Sequence, residues 1–235
     1  MGSPCFLCSK PMRAGEDTNR EHIPARSFYP SEIRRQFNPD LDCLQVHSAC
    51  NSAIKPNEEY FLASFGPMAA GDVLVGPALL RDLKRGIEDD PSRRALAHAI
   101  LQEFSIVQGT DGSRLKTHDP KRAGAVLWKI VRGLAFLDTG GKLLMEPNAP
   151  RFIQIFPTAD SITDAPGWLS EALQGETMGK YGRILDYRVK TFVDFADSAV
   201  SRAWQVWTLL LWNRVVAVVA FHAPSCPCQD CQDAH

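Results

Sequence analysis

The chain has 235 residues, of which 45% are hydrophobic and 23% are charged, and its formal net charge is −1. This composition is typical of a globular protein, and the length suits one large domain or a small domain joined to a larger one. The near-zero charge excludes a generally basic surface. Any binding of nucleic acid would therefore depend on local clusters of Lys and Arg.

Two features of the sequence, its first residues and its longest apolar stretch, indicate where the protein is located. The first residues lack a basic segment followed by an apolar one, so we expect no secretory signal peptide and a cytoplasmic protein. The longest apolar stretch runs from Ala203 to Pro224 and is interrupted by Gln205, Asn213 and Arg214. This pattern predicts paired strands, and we expect no transmembrane segment and no membrane partner.

Residues 1–66 predict a small metal-binding module. Short strands are expected around His22-Ile23 and Leu44–Val46, and a helix is expected to begin near Asn51. A connection containing Gly and Pro follows this module and leads into the rest of the chain. We therefore place a domain boundary between this module and a larger α+β domain of unknown function, residues 78–223.

The larger domain is predicted to contain helices followed by an antiparallel sheet. Apolar residues at helical spacing predict a helical region over 78–104, split at Pro91-Ser92, and a further helix over 120–137 that begins with Pro. The remaining predicted elements are strands at 152–156, 185–195, 204–212 and 215–222, a short helix at Trp168–Leu173, and a hairpin turn at Asn213-Arg214.

The seven cysteines are clustered, which favours metal binding over a disulfide framework. Cys5 and Cys8 are separated by two residues, and so are His47 and Cys50. Tetrahedral zinc takes four sulfur or nitrogen ligands, and a two-residue gap lets both members of a pair reach one ion. We therefore predict a structural zinc site. The alternative is a set of buried cysteines beside a core histidine.

The C-terminal tail, residues 224–235, is rich in cysteine. Cys226, Cys228, Cys231 and His235 offer the ligands of a second zinc site. A cysteine-rich terminus that binds no metal is an equal alternative.

Groups suited to hydrolysis lie between and beside the zinc pairs. Glu21 precedes His22, and Asn51 follows Cys50 directly. A carboxylate and an amide oxygen are ligands for a hard divalent ion, and a histidine can act as a general base. An ordinary surface pair is the alternative for Glu21-His22.

These motifs resemble the zinc-containing HNH (ββα-metal) endonucleases, including the endonuclease VII group. The resemblance covers about a quarter of the chain. It implies that His22 is the general base and that Glu21 and Asn51 hold a catalytic Mg²⁺ or Mn²⁺. His47 stands where the family usually has cysteine, and the middle asparagine of the HNH motif has no clear counterpart. Asp42 is the nearest candidate for its role, with Asn38 behind it.

The expected fold class is therefore α+β: an N-terminal zinc-bound ββα-metal (HNH) module followed by helices and an antiparallel sheet. Lys55 lies further along the predicted helix and is a candidate phosphate contact, whereas Glu58 and Glu59 are expected on a solvated face. The expected function is hydrolysis of phosphodiester bonds in nucleic acid, with DNA favoured over RNA. A single ββα site cuts one strand at a time, so duplex cleavage would imply a homodimer or two visits.

Two other functions stay open at this stage. One is a zinc-binding interaction module that has lost cleavage, which the missing middle asparagine favours. The other is a defence nuclease whose activity is controlled by its C-terminal domain. The presence of Glu21, His22 and Asn51 favours the active enzyme, because a structural zinc site needs none of them.

Overall fold

An antiparallel hairpin and the helix after it form the N-terminal part of the fold. Strand β1 is Thr18–His22 and strand β2 is Cys43–His47, and their register pairs Thr18 with His47 and His22 with Cys43. The connection between them carries a 3-10 turn, Arg26–Phe28, and helix α1, Ser31–Phe37. The computed structural model describes residues 3–37, 41–106, 114–141, 152–156, 182–194 and 202–223.

Helix α2, Ser48–Phe65, follows β2 without a loop, because His47 is both the last residue of the strand and the residue before the helix. The helix begins three residues earlier than the sequence predicts. Helix α1 lies between the two strands in sequence, and the mixture of helices with antiparallel sheet confirms the α+β class.

Three further helices follow α2. A 3-10 segment, Gly66–Gly71, leads into α3, Val75–Asp89, and α4 is Pro91–Leu101. The predicted break between α3 and α4 is confirmed, since Asp90 caps α4 by accepting a hydrogen bond from the Ser92 amide. Helix α5, Pro120–Asp138, begins with Pro after the capping residue Asp119, also as predicted.

The antiparallel sheet has four strands. Its strands are β5 (Phe152–Phe156), β6 (Leu185–Asp194), β7 (Arg202–Leu211) and β8 (Val215–His222). Their order across the sheet is β5-β8-β7-β6. A separate small hairpin is formed by β3, Phe104–Ile106, and β4, Arg114–Lys116. The four strands were predicted, and the small hairpin was not. The turn after β7 is centred on Trp212 and Asn213, both with positive φ, and not on Asn213-Arg214.

Helix α5 is the centre of the core, and thirteen of its residues are buried. It packs on α2 and β8, and the core cluster runs from Cys5 near the N-terminus to Phe221 on β8. At Gly133 the helix lies so close to Ile23 that an added Cβ would clash with Ile23 Cδ1. The residue after His22 is thus held directly by α5.

Two predicted features, Trp168–Leu173 and the tail at 224–235, lie outside the described residues. Within the described ranges, no helix combines the length and apolar character needed to cross a membrane.

Candidate functional site

The four predicted zinc ligands lie together at one end of the hairpin. Cys5 and Cys8 come from the N-terminal loop, His47 ends β2, and Cys50 stands in the first turn of α2. Their ligand atoms all lie within 4.8 Å of one another. This Cys3His cluster could hold a metal ion such as zinc, and four protein ligands would fill a tetrahedral coordination shell.

Glu16 orients the histidine of this cluster. His47 Nδ1 is 3.3 Å from Cys8 Sγ, and on the other side of the ring Nε2 is 3.2 Å from the Glu16 carboxylate. The backbone amide of Arg13, together with His47, holds the pKa of Glu16 below its usual value. A histidine that faces a metal with one nitrogen and donates from the other to a carboxylate is the usual arrangement in metal sites.

The thiols of the cluster are partly shielded from water. Burial, and then the neighbouring Cys8 and Cys5 sulfurs, raise the pKa of the Cys50 thiol to about 12. Without a cation this thiol keeps its proton at neutral pH. A bound metal would supply the positive charge that thiolates require.

Arg132 of α5 ties the N-terminal loop to the core. Its guanidinium donates to the carbonyl oxygen of Leu7 at 2.6 Å and to the Ser9 hydroxyl at 2.9 Å. The loop that carries Cys5 and Cys8 is therefore fixed by a residue that lies 125 positions after Leu7 in the sequence.

Adjacent residues of β1 place Glu21 and His22 on opposite faces of the hairpin, because side chains alternate along a strand. Glu21 is buried, and its carboxylate pairs with the Lys129 ammonium of α5. The same ammonium pairs with Glu58 of α2. Burial raises the pKa of Glu58, and Lys129 opposes this shift.

The prediction that Glu58 lies on a solvated face is wrong, since the residue is only 7% exposed. It stands seven positions after Asn51, so both lie on the helix face that meets the hairpin. Glu59, one residue further, is exposed as expected.

Asn51 is buried beside β1. Its amide nitrogen donates to Asn19 Oδ1 at 3.0 Å, whereas its own Oδ1 has no hydrogen-bond partner among the described residues. A buried acceptor without a donor is costly, and a bound cation is one way to satisfy it.

His22 lines a cavity of about 640 Å³. Four arginines line the same cavity: Arg20, Arg26, Arg34 and Arg35. Burial, and then the charges of Arg26, Arg20 and Arg34, lower the pKa of His22, although Glu21 acts in the opposite direction. The imidazole is therefore neutral at neutral pH, as a general base must be.

The contact on His22 Nδ1 comes from Cys43, whose Sγ is 2.9 Å away. Asp42, predicted to orient the base, contributes its backbone carbonyl, which accepts from the Ile23 amide at 3.0 Å. The role predicted for the Asp42 side chain stays a prediction. Asn38 lies outside the described residues.

A second, larger cleft of about 1380 Å³ adjoins the arginine-lined cavity. His22 and Arg34 line both spaces, and Lys55 and Glu58 line the larger one. Lys55 is exposed and lines the same cleft as His22.

The sequence did not predict the arginine cluster, Lys129, Arg132 or Cys43 as parts of the site. Four arginines within residues 20–35 were the available signal for the cavity. Comparison with family models, curated proteins and solved structures finds no match.

Proposed function

We propose that the protein is a metal-dependent endonuclease that hydrolyses phosphodiester bonds in nucleic acid, with His22 as the general base. The observation that carries this proposal is the position of His22: a neutral imidazole lines a cavity together with four arginines. An arginine guanidinium matches the geometry of phosphate oxygens, and a base next to a phosphate site is the arrangement that hydrolysis of a phosphodiester requires.

The arginines would hold the phosphate. Arg20 lies on β1, Arg26 in the 3-10 turn, and Arg34 and Arg35 on α1, so three separate elements converge on the cavity. The Nε of Arg34 is buried and lacks a hydrogen-bond partner among the described residues. A guanidinium with an unused donor that lines a basic cavity suits an anionic ligand.

Glu21 and Asn51 would be the oxygen ligands for Mg²⁺ or Mn²⁺: the Asn51 oxygen has no hydrogen-bond partner among the described residues, and Glu21, although it pairs with Lys129 across the hairpin from His22, lines the larger cleft together with His22. Such an ion would stabilise charge on the phosphate and on the leaving oxygen. The Cys3His cluster would keep a structural role, because its four ligands leave no coordination position for substrate.

His22 would take the proton of the attacking water. The water oxygen forms a bond to phosphorus as the bond from phosphorus to the leaving oxygen breaks, and the water proton passes to the imidazole. The arginines would stabilise the negative charge that develops on the phosphate oxygens. A single site of this kind cuts one strand in each event, and DNA is the substrate that we favour.

The test is cleavage of supercoiled plasmid, single-stranded DNA and RNA in Mg²⁺ or Mn²⁺ by wild type, His22→Ala and His98→Ala. His98 is an exposed histidine on α4 and serves as the matched control. All three proteins are first shown to carry equal zinc by metal analysis. We expect wild type and His98→Ala to cleave equally, and His22→Ala to be slower by about 10²- to 10⁴-fold.

Equal cleavage by wild type and His22→Ala would contradict the assignment of the base. If the zinc-loaded wild type leaves all three substrates intact, the proposal fails and the inactive zinc-binding module replaces it.

A further inference from the structure

The thiol of Cys43 lies against the imidazole of His22. The hairpin register sets the two residues directly opposite each other, and Cys43 Sγ is 2.9 Å from His22 Nδ1 but 3.9 Å from Nε2. Cys43 does not belong to the Cys3His cluster. Its contact with histidine therefore has no role in binding that metal.

A second contact offers the thiol proton an acceptor other than His22. Cys43 Sγ also lies 3.4 Å from the carbonyl oxygen of Leu41, which can only accept a hydrogen bond. A thiol has one proton, so when S–H donates to Leu41 the sulfur is left as an acceptor for His22. The sulfur then accepts a hydrogen bond from Nδ1–H.

We infer that Cys43 is a positioning residue that holds neutral His22 in the tautomer with the proton on Nδ1. In this tautomer the free lone pair is on Nε2, which is the ring nitrogen farther from Cys43. The choice of tautomer rests on the geometry alone. The use of Nε2 as the acceptor of the water proton rests in addition on the proposed function.

Two replacements of Cys43 separate positioning from packing. Cys43→Ser keeps a side chain that can donate to Leu41 and accept from Nδ1–H, whereas Cys43→Ala removes both bonds and retains a small apolar group. Neither change touches the Cys3His cluster. Zinc content and thermal stability of the full chain are measured for both variants, so that a folding defect is recognised.

The first readout is the tautomer itself, from the ¹⁵N chemical shifts and long-range proton couplings of His22 in the zinc-loaded protein at a pH where the ring is neutral. We expect Nδ1–H in wild type and in Cys43→Ser, and a loss of this preference in Cys43→Ala. An Nε2–H ring in wild type would overturn the inference, and so would an unchanged Nδ1–H ring in Cys43→Ala.

The second readout is cleavage. We expect Cys43→Ala to lower kcat by about 10- to 100-fold with little change in KM, and Cys43→Ser to restore most of the rate. Equal loss of kcat in both variants would overturn the positioning role. If wild type shows the Nδ1–H ring but cleaves no nucleic acid, the tautomer inference stands and the proposed nuclease function falls.

Discussion

Replacing Lys129 by methionine tests the buried charges beside the hairpin. The Lys129 side chain is 2% exposed and pairs with Glu21 and Glu58, whose side chains are each 9% exposed. Methionine fills most of the same space but leaves two carboxylates close together without a counter-charge. Loss of one partner from a buried ion pair costs about 3–5 kcal/mol.

In a chain of this size each kcal/mol lowers Tm by about 2–4 °C, so Lys129→Met should lower Tm by roughly 6–20 °C at pH 7. The assay is thermal unfolding of zinc-loaded protein followed by circular dichroism. Lys121→Met, an exposed position on the same helix, is the matched control and should change stability by no more than about 0.5 kcal/mol.

The loss of stability in Lys129→Met should also depend on pH. The pKa of Glu58 is raised in the folded protein, so this group lowers stability as pH rises from its unfolded pKa through its folded pKa. Without Lys129 that pKa rises further, because desolvation is no longer opposed. The difference between Lys129→Met and wild type should therefore shrink as the pH is lowered. Equal Tm values for the Lys129 and Lys121 variants at pH 7 would refute this reasoning.

Three further outcomes are expected. Glu16→Gln should weaken zinc binding by about tenfold in a chelator competition, because the amide orients His47 less strongly than the carboxylate does; unchanged affinity would contradict this role. Arg34→Gln should weaken binding of an uncleaved oligonucleotide and reduce its salt dependence, whereas exposed Arg94→Gln should not; equal binding by both variants would exclude Arg34 as a phosphate contact. The rate of cleavage should rise with pH through an apparent pKa below the usual value of histidine, since neutral His22 is the active form; a midpoint above that value would contradict the assignment.

The Cys3His cluster could be predicted from sequence because each half of it is local. Cys5 and Cys8 share one loop, and His47 and Cys50 share one helix start, so the spacing carries most of the geometry. Helix α5 and the four-strand sheet could be predicted for a similar reason. Their apolar patterns and the Pro at the start of α5 are properties of continuous segments.

The rest of the site depends on contacts between distant residues. Lys129 lies 108 positions after Glu21, and nothing in either segment indicates the other. Glu58 and Glu59 were expected on a solvated charged face, but α5 packs on α2 and buries Glu58. Cys43 meets His22 only through the register of the hairpin, which the long connection between the strands conceals.

The two basic residues of α5 have a consequence for how the first 66 residues behave. Lys129 balances Glu21 and Glu58, and Arg132, less than one helical turn later, fixes the Leu7 carbonyl in the cysteine loop. A fragment cut after residue 66 would keep both buried acids and lose both cations. We therefore expect that residues 1–66 do not fold on their own, and that transplanting them onto another protein would require a substitute for α5. Any displacement of α5 would disturb the carboxylates and the cysteine loop in a single movement.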